Sequence, residues 1–508
     1  MRNNQDSYIR ISLQYDYKLK EFIKNMNISE IQRIRNKINT QGWSKFIVNM
    51  SINGLHGLNE QHIEFKFPIC AIVGENGTCK STILKLLACA YRGNDKKDGF
   101  FPSNFFPDTM WENFKDVKAE YQIRQGERIG TYKITKPNER WRGLPERPIN
   151  NVFFFDLNRI QPIDSIIGSS KVASKKIEEI KSRELKEEST FKISEIMERK
   201  YLSGRYATTN VPNSIEVGLL KLPFGEISRF HQGSGEAMIF DFIATIENIP
   251  DGSLVIIDEI ESSLHPKAQR RLIHNLLQMA RVKTLQIILS THSPYILSEL
   301  PEESRILLKR LKDEIKIVYA PSVEFCLSQI DEEIHAELDI LVEDEESQML
   351  LDSLIRYKKP EIAQRTRILP VGSADIIQLI SRIAESGKLP YNVLGVVDAD
   401  ITENEYSSKL PGKFNPEKQV LLDIIEKDKG KIVSEMLNQT ESEIKTAFET
   451  TITIQDSRTW IEELAKKFNI SSKTLWAYLS VIWVRYCLLD SDSKNLLEAI
   501  EKRLQTHN

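Results

Sequence analysis

The chain has 508 residues, 41% hydrophobic and 28% charged, which is enough for a large buried core and about three domains. Its formal net charge of −3 excludes a globally basic nucleic-acid binder but allows a local basic groove. The five cysteines form no CxxC pair, which argues for reduced thiols in a cytoplasmic protein and against a structural zinc or disulfide framework.

The N-terminal part, residues 1–44, is polar and charged, and we expect a helical segment there. From Lys45 the pattern becomes strand-like, and an apolar strand at Cys70–Val73 leads into a glycine-rich loop. Alternation near Val117–Ile123 and Thr131–Ile134 predicts a hairpin, and Asn151–Phe155 has the composition of a buried strand.

The stretch Gly74–Ser81, GENGTCKS, lies between that apolar strand and a helix, as a phosphate-binding loop requires. Such a loop wraps backbone N–H groups around a phosphate at a helix N-terminus. Lys80 is placed to reach the β- and γ-phosphate oxygens, and Ser81 to bind magnesium. Cys79 replaces the usual glycine, and since a side chain there crowds the nucleotide, we expect retained ATP binding with slow hydrolysis. The residues of this loop predicted to bind ATP are Asn76, Gly77, Thr78, Cys79, Lys80, Ser81 and Thr82.

Between Lys171 and Lys200 the chain is dense in Lys and Glu, which predicts a solvated helical insertion at about 165–205. It has no sustained heptad pattern, which excludes a long coiled-coil arm. The apolar strand Leu254–Ile257 then ends in Asp258, placed to hold magnesium, and Glu259, placed to orient or deprotonate the attacking water. After a further strand, His292 is placed to sense the γ-phosphate.

The motifs GENGTCKS, QGSGE, LVIIDE, SSLHP and STHSP occur in this order over about Ser44–Leu300. This order resembles the ABC-type ATPase head of the repair and defence class. The resemblance implies that ATP lies between two copies of the chain, that Ser234 contacts the γ-phosphate on the opposite subunit, and that Ser262–Pro266 touches the partner. A homodimer or a higher homo-oligomer follows. The QGSGE motif, residues 232–236, adds Ser234, Gly235 and Glu236 to the predicted nucleotide contacts.

Beyond a charged stretch with linker character, Pro301–Asp313, a second βα pattern begins. The strand at Leu338–Val342 ends in Glu343, and a later apolar strand leads to Asp398 and Asp400. Side chains alternate along a strand, so these two aspartates are expected to point the same way at its carboxyl end, where open α/β sheets place ligands. Together with Glu343 they form an oxygen-rich site suited to Mg²⁺ or Mn²⁺, although a structural or calcium-binding role also stays open.

With the intervening strand near Arg367, the region Leu338–Leu422 resembles a TOPRIM domain, the metal-binding module of topoisomerases, primases and certain nucleases. In such nucleases a later glutamate completes the metal site and a lysine meets the scissile phosphate. That resemblance implies Glu417 as a metal ligand and Lys413 or Lys418 as the lysine. The sequence departs from the family at Asp344, which replaces a glycine, and at Ser347, which replaces an acid. Glu346 is the candidate substitute for that acid.

An ABC ATPase head followed by TOPRIM is the layout of OLD-family nucleases (overcoming lysogenization defect), many of which act in bacterial anti-phage defence, retron-associated relatives among them. The expected fold is α/β: an ABC-type ATPase head, a TOPRIM domain and a helical C-terminal region. The predicted boundaries are 1–44, 45–310, 335–425 and 426–508.

Two functions stay open: an ATP-regulated, metal-dependent DNA endonuclease, or an ATP-dependent assembly module whose degenerate TOPRIM domain binds nucleic acid or a partner without cutting. The implied cofactors are ATP and Mg²⁺, or Mn²⁺ at the TOPRIM site. The implied partners are DNA, further copies of the chain and, as a candidate, a reverse transcriptase with its RNA, but no membrane. The candidate phosphate-binding arginines are Arg140, Arg142, Arg147, Arg365 and Arg367.

Overall fold

The chain forms two compact units in the computed structural model, Met1–Ile330 and Asp331–Asn508, each with its own hydrophobic core. The mixture of sheets and helices confirms the predicted α/β class. The structure describes residues 27–39, 42–94, 99–156, 179–209, 216–311, 314–331, 335–386, 389, 391–402, 405–437 and 439–505.

The strands of the first unit form three sheets. They are β1 (Lys45–Asn53), β2 (Gln61–Glu64), β3 (Ile69–Gly74), β4 (Val117–Gln125), β5 (Arg128–Lys136), β6 (Val152–Asp156), β7 (Glu179–Glu184), β8 (Ser203–Thr209), β9 (Val217–Leu222), β10 (Gly225–Ser228), β11 (Leu254–Asp258), β12 (Gln286–Ser290), β13 (Arg305–Leu311) and β14 (Glu314–Tyr319). The helices of this unit are α1 (27–39), α2 (Lys80–Ala88), α3 (Pro102–Phe105), α4 (Glu187–Met197), α5 (Ser234–Ile246), α6 (Pro266–Lys283), α7 (Pro294–Leu297) and α8 (Val323–Ser328), with a 3-10 turn at Glu302–Ser304.

The central sheet has the strand order β14-β13-β3-β12-β11-β6. All its neighbouring strands are parallel except the antiparallel pair β13 and β14. Every residue of β3, β11 and β12 is buried, as expected for apolar strands covered on both faces. Since parallel strands end at a common edge, the phosphate loop and the segments after β11 and β12 meet there.

Two four-stranded antiparallel sheets flank this core, with the orders β2-β1-β4-β5 and β10-β9-β8-β7. The predicted hairpin is confirmed as β4 and β5, which pair from Val117↔Lys136 to Gln125↔Arg128. Residues 165–178 of the predicted insertion, which include the start of the Lys- and Glu-rich run, lie outside the described residues. In the described part, the helical prediction is confirmed for α4 (Glu187–Met197) and was wrong for β7 (Glu179–Glu184).

The linker prediction for Pro301–Asp313 was also wrong. Arg305–Leu308 is buried inside β13, which pairs in parallel with β3. The run of charged residues around it masked a short apolar core, Ile306–Leu308, that the sheet buries on both faces.

The second unit contains a parallel sheet with the order β16-β15-β17-β18. Its strands are β15 (Leu338–Val342), β16 (Thr366–Pro370), β17 (Val393–Val397) and β18 (Ser407–Lys409). Its helices are α9 (Glu345–Lys358), α10 (Pro360–Ala363), α11 (Ala374–Glu385), α12 (Pro416–Glu426), α13 (Gly430–Leu437), α14 (Glu441–Thr451), α15 (Trp460–Phe468), α16 (Ser472–Tyr486) and α17 (Asp490–Gln505), with a 3-10 turn at Ser457–Thr459.

The later helices of this unit pack around three tryptophans, Trp460, Trp476 and Trp483, which are 4%, 1% and 1% exposed. Their predicted core positions are therefore confirmed. Indole N–H groups of all three donate to protein oxygens, which satisfies their polar edges. Among the helices that the structure describes, none combines the length and the apolarity that crossing a membrane requires.

Candidate functional site

The phosphate-loop candidate joins β3 to α2, and its backbone turns sharply at Gly77 (φ 77°) and Cys79 (φ 67°). The Lys80 ammonium lies inside the loop, where Nζ donates to the carbonyls of Gly74 (2.8 Å) and Glu75 (2.9 Å). Burial lowers the pKa of Lys80, while the charges of Glu259 and Asp258 act in the opposite direction. The lysine thus lies within the electrostatic reach of both acids after β11.

The other residues of the loop differ in exposure. Asn76 and Gly77 are exposed, whereas Thr78 is buried and its hydroxyl donates to the Glu75 carbonyl at 2.8 Å. Ser81 and Thr82 are half-buried in the first turn of α2. Two neighbours were missed from the sequence because they lie far away in the chain. His56 Nδ1 is 3.0 Å from the Thr82 hydroxyl oxygen, and the Arg310 guanidinium donates to the Gly77 carbonyl.

The conformation of Cys79 adds a second reason for glycine at this position. The residue is left-handed, a region that costs a residue with a Cβ about 1–2 kcal/mol. Its thiol donates to the His56 carbonyl at 3.3 Å, and burial raises its pKa against the charge of Arg310. Backbone strain is therefore built into the loop.

We expect Cys79→Gly to increase the free energy of unfolding by about 0.5–1 kcal/mol, since relief of the left-handed strain exceeds the extra chain entropy of glycine. Urea unfolding of the full-length protein, monitored at the transition of the first unit, measures this difference. Cys79→Ala is the matched control because it removes the thiol and keeps the strain. Equal stability of the two variants would show that the dihedral angle carries no cost here.

The two acids at the end of β11 are held by one serine at the end of β12. The Ser290 hydroxyl donates to Asp258 Oδ1 at 2.5 Å and accepts from the Glu259 backbone N–H at 2.8 Å. Asp258 is buried, and Glu259 is half-buried in a left-handed conformation (φ 52°). The structure thus places both predicted acids at the sheet edge that carries the phosphate loop.

A third acid, Glu261, binds the segment after β12. Its carboxylate accepts from the His292 backbone N–H at 2.6 Å and from the Thr291 hydroxyl at 2.7 Å. Burial raises the pKa of Glu261 and lowers that of His292, for which the charge of Lys80 acts in the same direction. The sequence contained a signal for Glu261, an acid two positions after Glu259, that the motif analysis did not use.

The three predicted nucleotide contacts of the QGSGE motif lie at the start of α5. Ser234 is exposed at the helix N-terminus, whereas Gly235 packs so tightly that a Cβ there would lie 2.4 Å from the Ser263 carbonyl oxygen. The Glu236 carboxylate is turned into the protein, where it accepts from Arg199 Nη1 at 3.0 Å and from the Tyr201 hydroxyl. Of the three predicted nucleotide contacts, only Ser234 has an exposed side chain.

The second candidate site lies at the carboxyl ends of β15 and β17. Glu343 Oε1 accepts from the Asp398 backbone N–H at 3.1 Å, so these two predicted ligands are in direct contact. The Ser347 hydroxyl donates to Asp398 Oδ1 at 2.8 Å. Asp344 caps helix α9 by accepting from the Ser347 backbone N–H at 2.8 Å. The two positions that depart from the family pattern therefore build the site and its helix.

The alternation argument for Asp398 and Asp400 was wrong, because β17 ends at Val397. Both aspartates lie in the turn that follows, with the Ile401 N–H donating to the Asp398 carbonyl at 3.2 Å. Asp398 is 3% exposed, and Asp400 is exposed. Asp400 is nonetheless close enough for its charge to raise the pKa of both Glu343 and Asp398.

Burial and like charges perturb this whole cluster. Burial, followed by the charge of Glu343, raises the pKa of Asp398 to about 7. Burial also raises the pKa of Glu417 to about 7, with further contributions from Asp344 and Glu346. The pKa of Glu346 is raised by its own burial and by Asp344. Carboxyl groups that repel one another and are withdrawn from water are characteristic of functional sites.

The acids are not yet arranged as a coordination shell. Within the described ranges, no three His, Cys, Asp or Glu side chains are grouped so that they could hold a metal ion. One oxygen each of Glu343 and Asp398 accepts a hydrogen bond from the protein, as described above. All donors in the cluster are oxygens, which suits Mg²⁺ or Mn²⁺ chemically, so coordination requires side-chain rotation.

The cations near this cluster include one that was not predicted from the sequence. Lys413 is exposed in the loop before α12, and its backbone N–H donates to Gln419 Oε1 at 2.8 Å. Lys418 Nζ lies 4.4 Å from the centre of the Phe414 ring. Arg458, which the sequence analysis missed, is exposed and lowers the pKa of Glu343 and Glu417 through its charge. It lies 41 residues beyond Glu417 and 115 beyond Glu343 in the chain, so no local motif indicated it.

The candidate phosphate-binding arginines are mostly engaged elsewhere. Arg147 is buried and donates to the carbonyls of Cys89, Tyr91 and Phe100, so its predicted role was wrong. Arg365 forms an ion pair with Glu337, and Arg367 forms one with Asp339. Arg140 and Arg142 remain exposed.

Comparison with known proteins finds a family match within the first unit. Residues 132–298 match a family described as "AAA domain, putative AbiEii toxin, Type IV TA system". The first unit contains an AAA-type ATPase domain. The protein is 25% identical over 278 residues to Protein ea59 of Escherichia phage lambda, covering 50% of this chain and 51% of the relative. It is 31% identical over 112 residues to the Retron Vc95 probable ATPase of Vibrio cholerae serotype O1 biovar El Tor, covering 20% and 21%. The chain thus spans about half the length of the first relative and a fifth of the second.

Two solved structures are similar at low level. The SMC head domain from Thermotoga maritima is 17% identical with a TM-score of 0.31, covering 54% of this chain and 99% of that one. An ATP-binding cassette of an ABC transporter in its ADP conformation is 13% identical with a TM-score of 0.28, covering 56% and 94%. These scores are too low to carry an argument about function.

Proposed function

We propose that this protein is a homodimeric or higher-order ATPase of the ABC type whose second unit is a TOPRIM-like, metal-dependent DNA endonuclease of bacterial anti-phage defence. The observation that carries the nuclease proposal is the contact of Glu343 with Asp398 at the carboxyl edge of a parallel sheet, inside a cluster of mutually repelling acids. Such a cluster is costly to the fold unless it binds a cation.

The geometry of the first unit supports ATP hydrolysis. Asp258 would hold the magnesium that accompanies ATP, and Glu259 would accept the proton of the attacking water or orient it. Lys80 would exchange its bonds to the loop carbonyls for bonds to phosphate oxygens. The exposed Ser234 at the N-terminus of a thirteen-residue helix is suited to the γ-phosphate of a second copy, because helix N-termini favour anions.

The acids of the second unit would hold Mg²⁺ or Mn²⁺ through Glu343, Asp398 and Asp400, with Glu346 and Glu417 as further ligands. When bound, the metal would activate water and stabilise the leaving oxygen of a phosphodiester. Ser347 holds one carboxylate oxygen of Asp398, and the Asp398 backbone N–H holds one of Glu343, so that the remaining oxygens are the ones that would turn towards the metal. Arg458, with Lys413 as the other candidate, would contact the phosphate of the DNA.

The relatives support the defence role. One is named a retron ATPase, and the matched family is named for a toxin of a toxin–antitoxin system. We therefore retain a reverse transcriptase and its RNA as candidate partners. None of the five cysteines, all of which lie within the described ranges, is joined in a disulfide, which supports a cytoplasmic location.

Plasmid cleavage tests the proposal. Wild-type protein, Asp400→Ala and the control Asp352→Ala, which removes an exposed carboxylate paired with Arg356 on α9, are incubated with Mg²⁺ or Mn²⁺, with and without ATP. We expect cleavage by wild type and control and loss of cleavage in Asp400→Ala. Cleavage that persisted in Asp400→Ala would place the metal site elsewhere.

A second function is favoured by one observation, the neutral Ser347 where the family pattern has an acid. In that case ATP holds an assembly, and the second unit binds nucleic acid or a partner without cutting it. Absence of cleavage under every condition, together with retained DNA binding, would support this alternative.

A further inference from the structure

We propose that Glu261 is a positioning residue for ATP hydrolysis, which holds His292 in place from the segment after the neighbouring strand. This inference rests on the hydrolytic role proposed for the first unit. The carboxylate binds two successive residues, with one oxygen on the Thr291 hydroxyl and the other on the His292 backbone N–H. These two bonds therefore fix the position and the orientation of the backbone at residues 291 and 292, directly after the strand ends.

The held segment is anchored on its other side to the strand of the phosphate loop. The backbone N–H of Thr291 donates to the Ile72 carbonyl at 3.2 Å, and the Thr291 side chain is fully buried. Since β3 continues directly into the phosphate loop, the bond to Ile72 fixes the position of His292 relative to that loop. The bonds to Glu261 fix its position relative to the acids that follow β11. Removing either set of bonds gives the imidazole freedom relative to Lys80.

The chemistry favours an ionised carboxylate for this task. A carboxylate only accepts hydrogen bonds, and the two groups it meets here are a backbone N–H and a hydroxyl, both donors. Bonds to a charged acceptor are about twice as strong as neutral ones. Glutamine would keep one acceptor oxygen for the His292 N–H, while its NH₂ could only donate to the Thr291 hydroxyl oxygen, which reverses the direction of that bond. A Glu261→Gln variant thus retains the shape and loses the charge that strengthens both bonds.

Glu261 also lies at the start of a turn that packs against helix α5. The Leu264 N–H donates to the Glu261 carbonyl at 3.0 Å. The Ser263 carbonyl of this turn lies so close to Gly235 that it leaves no room for a side chain there. A shift of this turn, residues 261–264, would therefore move the Glu261 carboxylate, and its hydrogen bonds would move His292 as well. Ser234, which we propose faces the nucleotide of a second copy, lies at the N-terminus of helix α5.

The test compares full-length wild type with Glu261→Gln, His292→Ala and the double variant in steady-state ATP hydrolysis. The control is Glu247→Gln, which alters a buried acid paired with Lys192 outside the site. We expect Glu261→Gln to lower kcat by about tenfold to a hundredfold, as misplacement of a reacting group does, with KM for ATP changed by less than about twofold. Thr291→Val, which removes only the hydroxyl bond, should show a smaller loss of kcat.

The double variant separates positioning from a merely structural effect. If Glu261 acts through His292, Glu261→Gln causes no further loss in the His292→Ala background. The inference would be overturned if the losses of kcat in the two single variants multiplied in the double variant, or if ATP affinity fell as much as kcat in Glu261→Gln. A wild-type kcat in Glu261→Gln would overturn it as well. None of these results would contradict ATP hydrolysis by the protein. Absence of hydrolysis in the wild-type protein would instead remove the hydrolytic role on which the inference depends.

Discussion

Replacing Asp398 by asparagine should reduce metal-dependent DNA cleavage by more than about a hundredfold, since even residues one shell away from a metal cost 10–100-fold when lost. At the same time it should stabilise the metal-free protein at neutral and alkaline pH. Asparagine keeps an oxygen that can accept from Ser347, so the shape of the site is preserved. Opposite signs for activity and stability are the expected outcome.

The stability change follows from the raised pKa of Asp398. The folded protein holds this proton up to about pH 7, whereas the ordinary value is 3.8. Because the folded state binds the proton more tightly, stability falls as the pH rises from the ordinary value towards 7, and the penalty is fully present above it. Relief of this penalty by the neutral amide should contribute about 1–2 kcal/mol at about pH 8 and nothing below about pH 4.

Urea unfolding of both proteins across this pH range, with and without Mg²⁺, measures the effect. Asp352→Asn on α9 is the matched control, since its carboxylate is exposed and paired with Arg356. Added metal should stabilise the wild type and the control but not Asp398→Asn. A destabilised Asp398→Asn protein at alkaline pH would contradict the origin assigned to this pKa.

Glu259→Gln should lower the rate of ATP hydrolysis by about 10²–10⁴-fold, the usual contribution of a positioned general base, while ATP binding is retained. The backbone N–H of this residue, and not its carboxylate, is bonded to Ser290, so the substitution leaves the loop anchored. ATP that is bound but not hydrolysed should then hold two copies together.

Phosphate release, ATP affinity and elution volume with ATP measure these three quantities on the same preparation. Glu247→Gln again provides the control. A variant that hydrolyses ATP at the wild-type rate would show that the proton acceptor is another group.

The sequence predicted the location of the candidate sites better than their construction. Lys80, Asp258 and His292 follow three apolar strands, and parallel strands end at a common edge, so their convergence was predictable. Glu261 and Ser290 were not predicted, because their roles depend on which strands are neighbours. Asp398 and Asp400 show the same limit: their proximity to Glu343 was correct, but β17 ends at Val397, before either aspartate, so alternation along the strand does not apply to them.

Charged residues were the other source of error. In the sequence Arg147 is indistinguishable from a solvated phosphate ligand, yet it is buried and donates to three carbonyls. Arg458 was not predicted from the sequence, although its charge lowers the pKa of Glu343 and Glu417. The partner of a charged side chain is set by tertiary contacts between segments distant in the chain, and composition carries no information about them.

The Ser347 hydroxyl beside Asp398 has a consequence for how a cation would be recruited. A neutral group there leaves the protein with one formal negative charge fewer with which to balance a divalent ion, and ligand charge count sets metal affinity. The remaining positive charge is then available to the phosphate oxygens of nucleic acid. Metal and nucleic acid would then each strengthen the binding of the other, so that the affinity for the metal would be higher with nucleic acid bound than without it.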